Sequence, residues 1–380
     1  MERIYLDNAA TTPLDKDVLD AMLPYLTEVY GNADSPHANG RKAMSAVDEA
    51  RDIVAELLGA SAKEIYFTSG GTESDNWAMI GVVKAMQRQG KNKIILSAIE
   101  HHACLSSAER LQKDGFEVVY LPVDKGGRVE INALKEVMDT SVALVCVMAC
   151  NNETGVLQPI KQCAEIAHSY GAYFFTDAVQ LAPHKKISVN EYGVDLLSIS
   201  SHKFHGPKGV GALYIRNGVK IEPHIGGGEQ ERGLRGGTLN VAGIVGLAKA
   251  YQKAVQNAEE RERKIRKLNA LFLERLQGLD GVESNGDREN ALFSILNLRF
   301  TGVENTTLLY NLDLKGISLS AGSACASASV KPSHVLTAMG LDERAIKESV
   351  RISFGKQNTE EEILLAVEEI KETVKRLRDC

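Results

Sequence analysis

The sequence predicts an α/β fold, in which a mostly parallel sheet of seven strands is covered by helices and a smaller α+β domain follows. From about residue 45, short apolar segments alternate with amphipathic ones. Most of the apolar segments are continuously hydrophobic, as parallel strands buried on both faces are. Over residues 242–276 a long segment of helical periodicity changes from apolar to densely charged. This change is typical of a helix that bridges two domains.

The predicted elements follow in chain order. The strands of the large sheet are expected at residues 64–68, 93–97, 116–121, 142–149, 172–176, 195–200 and 211–215, with helices between most of them at residues 43–58, 71–86, 101–115, 131–138 and 160–169. Beyond the bridging helix, strands are expected at 292–300 and 316–319 and helices at 333–339 and 360–378. The large domain is therefore placed at residues 15–255. The small domain comprises residues 1–14 and 256–380 and carries a cysteine-containing loop at about 318–332.

Composition excludes several classes of partner. The chain has 380 residues, of which 44% are apolar and 25% charged, and its net charge is −6. A polyanion such as nucleic acid is therefore not expected as a main partner. The first residues lack a basic segment followed by an apolar one, and the longest apolar run, residues 142–150, is too short to span a bilayer. We expect a cytoplasmic protein without membrane contact.

The six cysteines are few for this length and never form C-x-x-C, so no metal site is expected. They are Cys104, Cys146, Cys150, Cys163, Cys325 and Cys380. This usage is typical of a reducing compartment. Only Cys325 lies in an unusual context, the small-residue stretch SLSAGSACASAS.

Distinctive polar residues follow the strands of the predicted sheet. The segments SGGT, SAIEHH, ACNNETG, TDAVQ and SSHKFHG each begin where an apolar strand ends. Ligands of open α/β sheets bind beyond the carboxyl ends of the strands, so these segments are expected to share one edge.

Each of these segments has an ordinary structural explanation when it is taken alone. SGGTES could bind an anion at a helix N-terminus, or it could be a capped helix start. Asp177 could be a helix cap, Lys203 could be a solvated lysine, and Lys208 in GPKG is a rival to it. Together they fit pyridoxal 5′-phosphate (PLP), which needs a phosphate cradle, a carboxylate at the pyridine nitrogen and a lysine for the aldehyde. Gln180 could reach the ring hydroxyl group, and His101 could stack on the ring.

At these residues the sequence resembles the NifS/IscS-type cysteine desulfurases, which are class V aminotransferases with the fold type I of PLP enzymes. The resemblance runs nearly end to end. It rests on YLDNAATTP, TSGGTESDN, EHHA, NNETG, TDAVQ, SSHKFHGPKGVGAL, GGGEQERGLRGGT, SAGSACASAS and VRISFG. It implies the aspartate aminotransferase-like architecture, with a large PLP-binding domain and a smaller α+β domain.

The resemblance implies three catalytic residues. Lys203 would form the Schiff base with PLP and then remove the Cα proton of the substrate, and His101 would stack on the ring and transfer protons. Cys325 would take up the sulfur as a persulfide. The small residues around Cys325 offer little apolar area for anchoring, so we expect a mobile loop. A helix predicted to begin near Ser333 could favour the thiolate of Cys325.

The resemblance also implies a binding set. Asp177 would pair with the pyridine nitrogen, Gln180 with the ring oxygen, and Arg351 with the substrate carboxylate. Asn152 would contact cofactor or substrate. The phosphate would be held by Gly71, Thr72, Ser200 and His202, together with Thr238 of a second subunit, which implies a homodimer.

The implied reaction converts L-cysteine to L-alanine and leaves the sulfur on the enzyme. A sulfur-acceptor protein, such as an iron–sulfur scaffold, is the expected partner, and thio-cofactor synthesis or tRNA thiolation are other possible destinations. A selenocysteine lyase or another class V PLP aminotransferase is the alternative enzyme. A PLP-free sulfur-carrier or assembly subunit is the alternative outside enzymes. The sequence departs from the family's usual motif at Ala321, where relatives have serine.

Overall fold

The computed structural model describes residues 3–322 and 332–379. Its strands are β1 (Ile4–Tyr5), β2 (Ile65–Thr68), β3 (Lys93–Ser97), β4 (Glu117–Leu121), β5 (Val142–Cys146), β6 (Tyr173–Asp177), β7 (Leu196–Ser200), β8 (Gly211–Ile215), β9 (Val282–Ser284), β10 (Ile295–Phe300), β11 (Ile317–Ser318) and β12 (Ser349–Ser353).

The helices surround these strands. They are α1 (Lys16–Thr27), α2 (Ala38–Leu58), α3 (Gly71–Gln87), α4 (His102–Lys113), α5 (Ile131–Val137), α6 (Ile160–Ser169), α7 (Val189–Tyr192), α8 (Val241–Gln256), α9 (Ala258–Leu276), α10 (Asn305–Leu314), α11 (His334–Ala338), α12 (Glu343–Lys347) and α13 (Glu360–Arg378). Within the two described ranges, no helix combines the length and the apolar character that crossing a bilayer requires.

The large sheet has seven strands in the order β2-β8-β7-β6-β5-β3-β4. The pairs from β7 through β6, β5 and β3 to β4 are parallel, whereas β8 runs antiparallel to both of its neighbours. Every residue of β3, β5, β7 and β8 is buried, because helices cover both faces of the sheet. The predicted fold class and the seven predicted strands are confirmed. The carboxyl ends of β5, β6 and β7 lie side by side and form the edge where the polar segments meet.

A separate hydrophobic core lies in the C-terminal part of the chain. There β10 pairs antiparallel with β12 and with β9, and buried side chains of α9 and α13 pack against them. The first strand belongs to this part, because β1 pairs in parallel with β11. The arrangement agrees with a small domain that includes the N-terminal arm, although its limits at residues 15 and 255 remain predictions.

The predicted bridging helix over residues 242–276 is not continuous. The chain forms α8 and α9, which are separated at Asn257 with φ −103° and ψ 15°. The Asn257 side chain donates a hydrogen bond to the carbonyl oxygen of Lys253 at 2.9 Å. Asparagine side chains commonly bond to nearby backbone in this way and so interrupt helices. The break lets α8 pack on the large-domain core while α9 packs on the second one.

A buried ion pair holds the loop that precedes α8. Arg51 of α2 donates two hydrogen bonds to Glu231, from Nη1 to Oε2 at 2.8 Å and from Nη2 to Oε1 at 2.7 Å. Glu231 also accepts from the backbone N–H of Phe67 at 3.0 Å. The Glu231 backbone lies in the left-handed region, with φ +46°. Several bonds therefore hold this residue in a conformation that is uncommon for a non-glycine residue.

Replacing Glu231 with glutamine should lower the free energy of unfolding by about 3–5 kcal/mol, because Arg51 would keep a buried charge without a counter-ion. Chemical denaturation of the wild type and the variant measures this. The matched control is Glu49→Gln, which changes an exposed carboxylate on the same helix α2 and should alter stability by less than about 0.5 kcal/mol. Equal effects in the two variants would contradict the prediction.

Candidate active site

Lys203 lies in the short turn Ser201–Lys203 directly after β7. Its ammonium group donates hydrogen bonds to the carbonyl oxygens of Ala9 at 2.6 Å and Ala10 at 2.9 Å. The segment after β1 therefore crosses to the large sheet and orients the lysine. The solvated-lysine explanation does not fit this half-buried, bonded position.

Asp177 is the last residue of β6 and is buried. One carboxylate oxygen accepts the N–H of Val179 at 2.8 Å. Burial raises the pKa of Asp177 to about 6, while the Val179 N–H and the charge of Lys203 act in the opposite direction. Nearby, Gln180 donates to the carbonyl oxygen of Ala9 at 2.8 Å, so Gln180 and Lys203 bond to the same oxygen atom.

His101 precedes α4 and caps it, since its Nδ1 accepts the N–H of Ala103 at 3.2 Å. Burial, and then the positive charge of Lys203, lowers the pKa of His101 to about 4. The imidazole is therefore neutral at pH 7. Because Nδ1 accepts a hydrogen bond, Nε2 carries the ring proton.

The loop between β2 and α3 forms a concave turn at the N-terminus of a helix. Gly70 has φ +151°, and a Cβ atom on Gly71 would lie 2.9 Å from Cγ2 of Val179, so a side chain there would clash. The first N–H groups of α3 have no acceptor within the helix. We call this concavity the glycine cradle. Its walls are formed by Thr11, Ser69, Gly70, Gly71, Thr72, Glu73, Ser200, His202, Lys208 and Gly209.

Arg351 reaches the same region from β12. Its side chain is only 1% exposed. It donates to Oδ1 of Asp7 at 2.7 Å and to the carbonyl oxygen of Asn152 at 3.0 Å. Its Nε is buried without a hydrogen-bond partner among the described residues. A buried guanidinium N–H without a partner is uncommon and leaves a donor for a ligand.

These groups meet around one cavity of about 170 Å³. It is lined by Ala9, Ala10, Gly71, Thr72, Asp75, His101, Met148, Asn152, Asp177, Val179, Gln180, Ser200, His202, Lys203 and Arg351. The structure therefore brings together ten of the residues that the sequence singled out as site residues. A lysine, a carboxylate and an arginine, with neutral imidazoles between them, can bind an anionic amino acid and move protons on it.

Among the described residues, one predicted site residue does not line this cavity. Thr238 is exposed, in the loop whose Arg235 makes a two-bond ion pair with Glu73 at 2.8 and 3.1 Å. Cys325 lies outside the described residues. Its role and that of Thr238 remain predictions.

The sequence analysis missed two acidic residues that the structure places here. Asp7 pairs with Arg351, and Asp75 lies on the cavity wall next to Asp177. Both stand inside recognised segments, YLDNAATTP and TSGGTESDN. A search for the counter-ion of the predicted carboxylate-binding arginine would have pointed to Asp7, whereas no pattern along the chain marks Asp75.

A second cavity, of about 310 Å³, lies on the other side of Lys203. Ala9, Gln180 and Lys203 line both cavities and so separate them. Its cationic groups include Lys253, which bonds to Asp15 at 2.7 Å. Among the described residues, the lining of this second cavity includes neither the N-terminus of α3 nor Asp177. The candidate active site is therefore the smaller cavity.

Similarity to known proteins extends over nearly the whole chain. A family model described as Aminotransferase class-V matches residues 4–365. The protein named Cysteine desulfurase IscS of Methanosarcina thermophila is 48% identical over 376 residues, covering 99% of this chain and 93% of that protein. Putative cysteine desulfurase IscS 1 of Bacillus subtilis is 46% identical, covering 99% of this chain and all of that protein.

Solved structures show the same similarity. One described as a NifS-like protein superposes with a TM-score of 0.93 at 40% identity, covering 98% of this chain and 100% of the other. Another, described as SspA in complex with cysteine, has a TM-score of 0.82 at 34% identity and covers 92% of this chain and 98% of the other. The fold and the sequence therefore point to the same relatives.

Proposed function

This chain belongs to the class V aminotransferase family and, within it, to the cysteine desulfurases, and we therefore propose that its cavity removes the sulfur atom of L-cysteine with PLP as cofactor. The observation that carries this proposal is the meeting of Lys203, Asp177, His101 and Arg351 around one cavity. The products are L-alanine and a sulfur atom bound to an enzyme cysteine.

The residues present fit PLP at both ends of the molecule. The glycine turn before α3 has no room for a side chain at Gly71, and its free N–H groups suit a phosphate. Ser200 and His202 border the same concavity. At the opposite end, the buried Asp177 carboxylate suits a protonated ring nitrogen, because a buried charge needs a counter-charge.

When bound, PLP supplies an aldehyde that condenses with amines and a ring that withdraws electrons from the Cα of the substrate. Among the described residues, Lys203 supplies the amine that lines this cavity. Its bonds to Ala9 and Ala10 hold the nitrogen in place for removing the Cα proton. His101 is neutral at pH 7, and its Nε2–H can donate a hydrogen bond where negative charge develops.

Arg351 binds the substrate carboxylate in this proposal. Asp7 and the Asn152 carbonyl oxygen orient the guanidinium, and the unpartnered Nε is left as a donor. A charge-assisted bond inside a water-poor cavity holds the carboxylate firmly and so orients the Cα proton toward Lys203.

Sulfur transfer needs a thiol that ionises near neutral pH, and the described cysteines do not provide one. Burial raises the pKa of Cys146 and of Cys163 to about 12 and raises that of Cys150 further. The pKa of Cys104 is raised well above its usual value by its bond to Cys146 and by burial. Of the other two cysteines, Cys325 and Cys380, we assign the transfer to Cys325, because the family resemblance implies that residue.

In this step the Cys325 thiolate attacks the substrate sulfur. An S–S bond forms while the Cβ–S bond breaks, and the electron pair of the broken bond stays with the substrate carbon skeleton. That skeleton takes up a proton and leaves as alanine. The persulfide then passes its terminal sulfur to an acceptor protein, for which an iron–sulfur scaffold is our proposal. The exposed Thr238 completes the phosphate site of a partner subunit in the proposed homodimer.

Treatment of the protein with L-cysteine should release alanine and place one extra sulfur atom on the Cys325 peptide in mass spectrometry. Cys325→Ala should release no alanine by this route and carry no added sulfur, because the accepting thiolate is gone. Cys380→Ala is the matched control and should behave as the wild type. Added sulfur on another peptide would contradict the assignment to Cys325. Full turnover of Cys325→Ala would contradict the proposed reaction and favour an aminotransferase or a selenocysteine lyase.

A further inference from the structure

Next to Asp177 lies a second buried acid, Asp75, which has no role in the proposed reaction. Asp75 is on α3, one turn after the glycine cradle, and is 1% exposed. The hydroxyl group of Ser198 donates a hydrogen bond to Oδ1 of Asp75 at 2.6 Å. Ser198 is also the register partner of Asp177 in the ladder between β6 and β7, and it is fully buried. One hydroxyl group therefore lies between two carboxyl groups.

Two carboxylates cannot both keep their charges in such a place. Each would lack water, and each would repel the other. Lys203 lies on the Asp177 side, where its charge favours the ionised form of that carboxyl group. Among the described residues, no cation lowers the pKa of Asp75 in this way, and Ser198 donates its hydrogen bond to one of the two carboxyl oxygens. One of the two carboxyl groups must therefore keep its proton, and the charge of Lys203 beside Asp177 leaves that proton on Asp75.

We propose that Asp75 is a positioning residue that stays a neutral carboxylic acid and leaves Asp177 as the single negative charge at the base of the cavity. Its effect on the cofactor rests on the proposed function. Since α3 also begins the phosphate cradle, one helix would position both ends of the cofactor: the phosphate through Gly71 and Thr72, and the ring nitrogen through Asp75 and Asp177.

The groups that face Asp75 agree with this assignment. Burial and the charge of Asp177 raise the pKa of Asp75 well above its usual value, and Glu100 contributes in the same direction. Glu100 is itself buried, and this burial raises its pKa to about 8. Among the described residues, the remaining neighbours and cavity groups that titrate or carry charge are Cys104, Cys146, His101, His202, Lys203 and Arg351.

The test is the pH dependence of stability in Asp75→Asn. An acid whose pKa is raised by folding stabilises the protein fully only below its unfolded pKa, and it loses this contribution as the pH rises toward the folded value. Asparagine has no proton to lose. As the pH rises from 5 to 8, the wild type should therefore lose stability relative to the variant. The ratio of their unfolding equilibrium constants should change by up to about tenfold per pH unit. Denaturation of the full-length protein, with and without added PLP, measures this ratio.

The matched control is Asp52→Asn, which removes an exposed carboxylate from α2 and should differ from the wild type by a constant amount over this range. A constant difference for Asp75→Asn as well would mean a merely structural role and would overturn the proposal. The measurement without added PLP does not depend on the enzyme's function. Failure of this proposal can therefore be told apart from failure of the proposed reaction.

A second measurement keeps the proposal testable if Asp75→Asn does not fold. Protonated carboxyl groups have an infrared C=O band distinct from that of carboxylates. In Glu100→Gln, which removes the acid whose pKa burial raises to about 8, a protonated-carboxyl band should remain at pH 7. Its absence in that folded variant would overturn the proposal.

Discussion

Replacing Lys203 with alanine should reduce alanine release from L-cysteine by at least about a thousandfold. The residue is proposed both to bind the cofactor covalently and to remove the Cα proton, and general base catalysis alone contributes about 10²–10⁴-fold. In the wild type, borohydride reduction followed by mass spectrometry should find the cofactor fixed to the Lys203 peptide. In Lys203→Ala no peptide should carry it.

Lys208 provides the comparison, because it is the rival lysine of the sequence and stands on the wall of the glycine cradle. Lys208→Ala should still show the cofactor on the Lys203 peptide after reduction. If the cofactor label moved with Lys208, or persisted on the protein in Lys203→Ala, the assignment would be wrong.

Replacing Asp177 with asparagine should lower the turnover number by about 10²–10³-fold, the usual loss when one preorganised electrostatic partner is removed. The amide keeps the shape of the side chain and its bond from Val179, but it carries no charge to hold a proton on the ring nitrogen. Steady-state kinetics with L-cysteine measures the effect.

Asp177→Glu tests the cause, because it keeps the charge and changes only the reach. It should retain more activity than Asp177→Asn. Cofactor should still bind to Asp177→Asn, since the cradle before α3 is unchanged, and an absorbance titration with PLP would show this. Equal activities in the two variants would contradict an electrostatic role.

Much of the fold was predictable because its signals lie close together along the chain. Continuous apolar runs marked the strands of the large sheet, and Gly59 and Gly115 marked helix ends. The polar segments after these runs were expected at one edge, and the structure brings them to one cavity. The break between α8 and α9 was missed, because a single asparagine within a helical pattern is too weak a signal.

The pairings inside the site could not be predicted in the same way. Arg351 and Asp7 are 344 residues apart in sequence, and Ser198 and Asp75 are 123 apart. Nothing in their immediate surroundings indicates that they meet. Likewise, the low pKa of His101 depends first on burial and then on Lys203, and neither can be inferred from residues 100–103.

The amino-acid sequence by itself determined the class of fold and the family, and it predicted which lysine is reactive. Strand periodicity and short recognition segments are properties of chain neighbours, so they can be detected without coordinates. Only the tertiary structure decided which charges neutralise one another: Arg351 with Asp7, Arg51 with Glu231, and Asp177 beside Asp75. Burial and Coulomb energy depend on distances through space, and only the folded chain sets those distances.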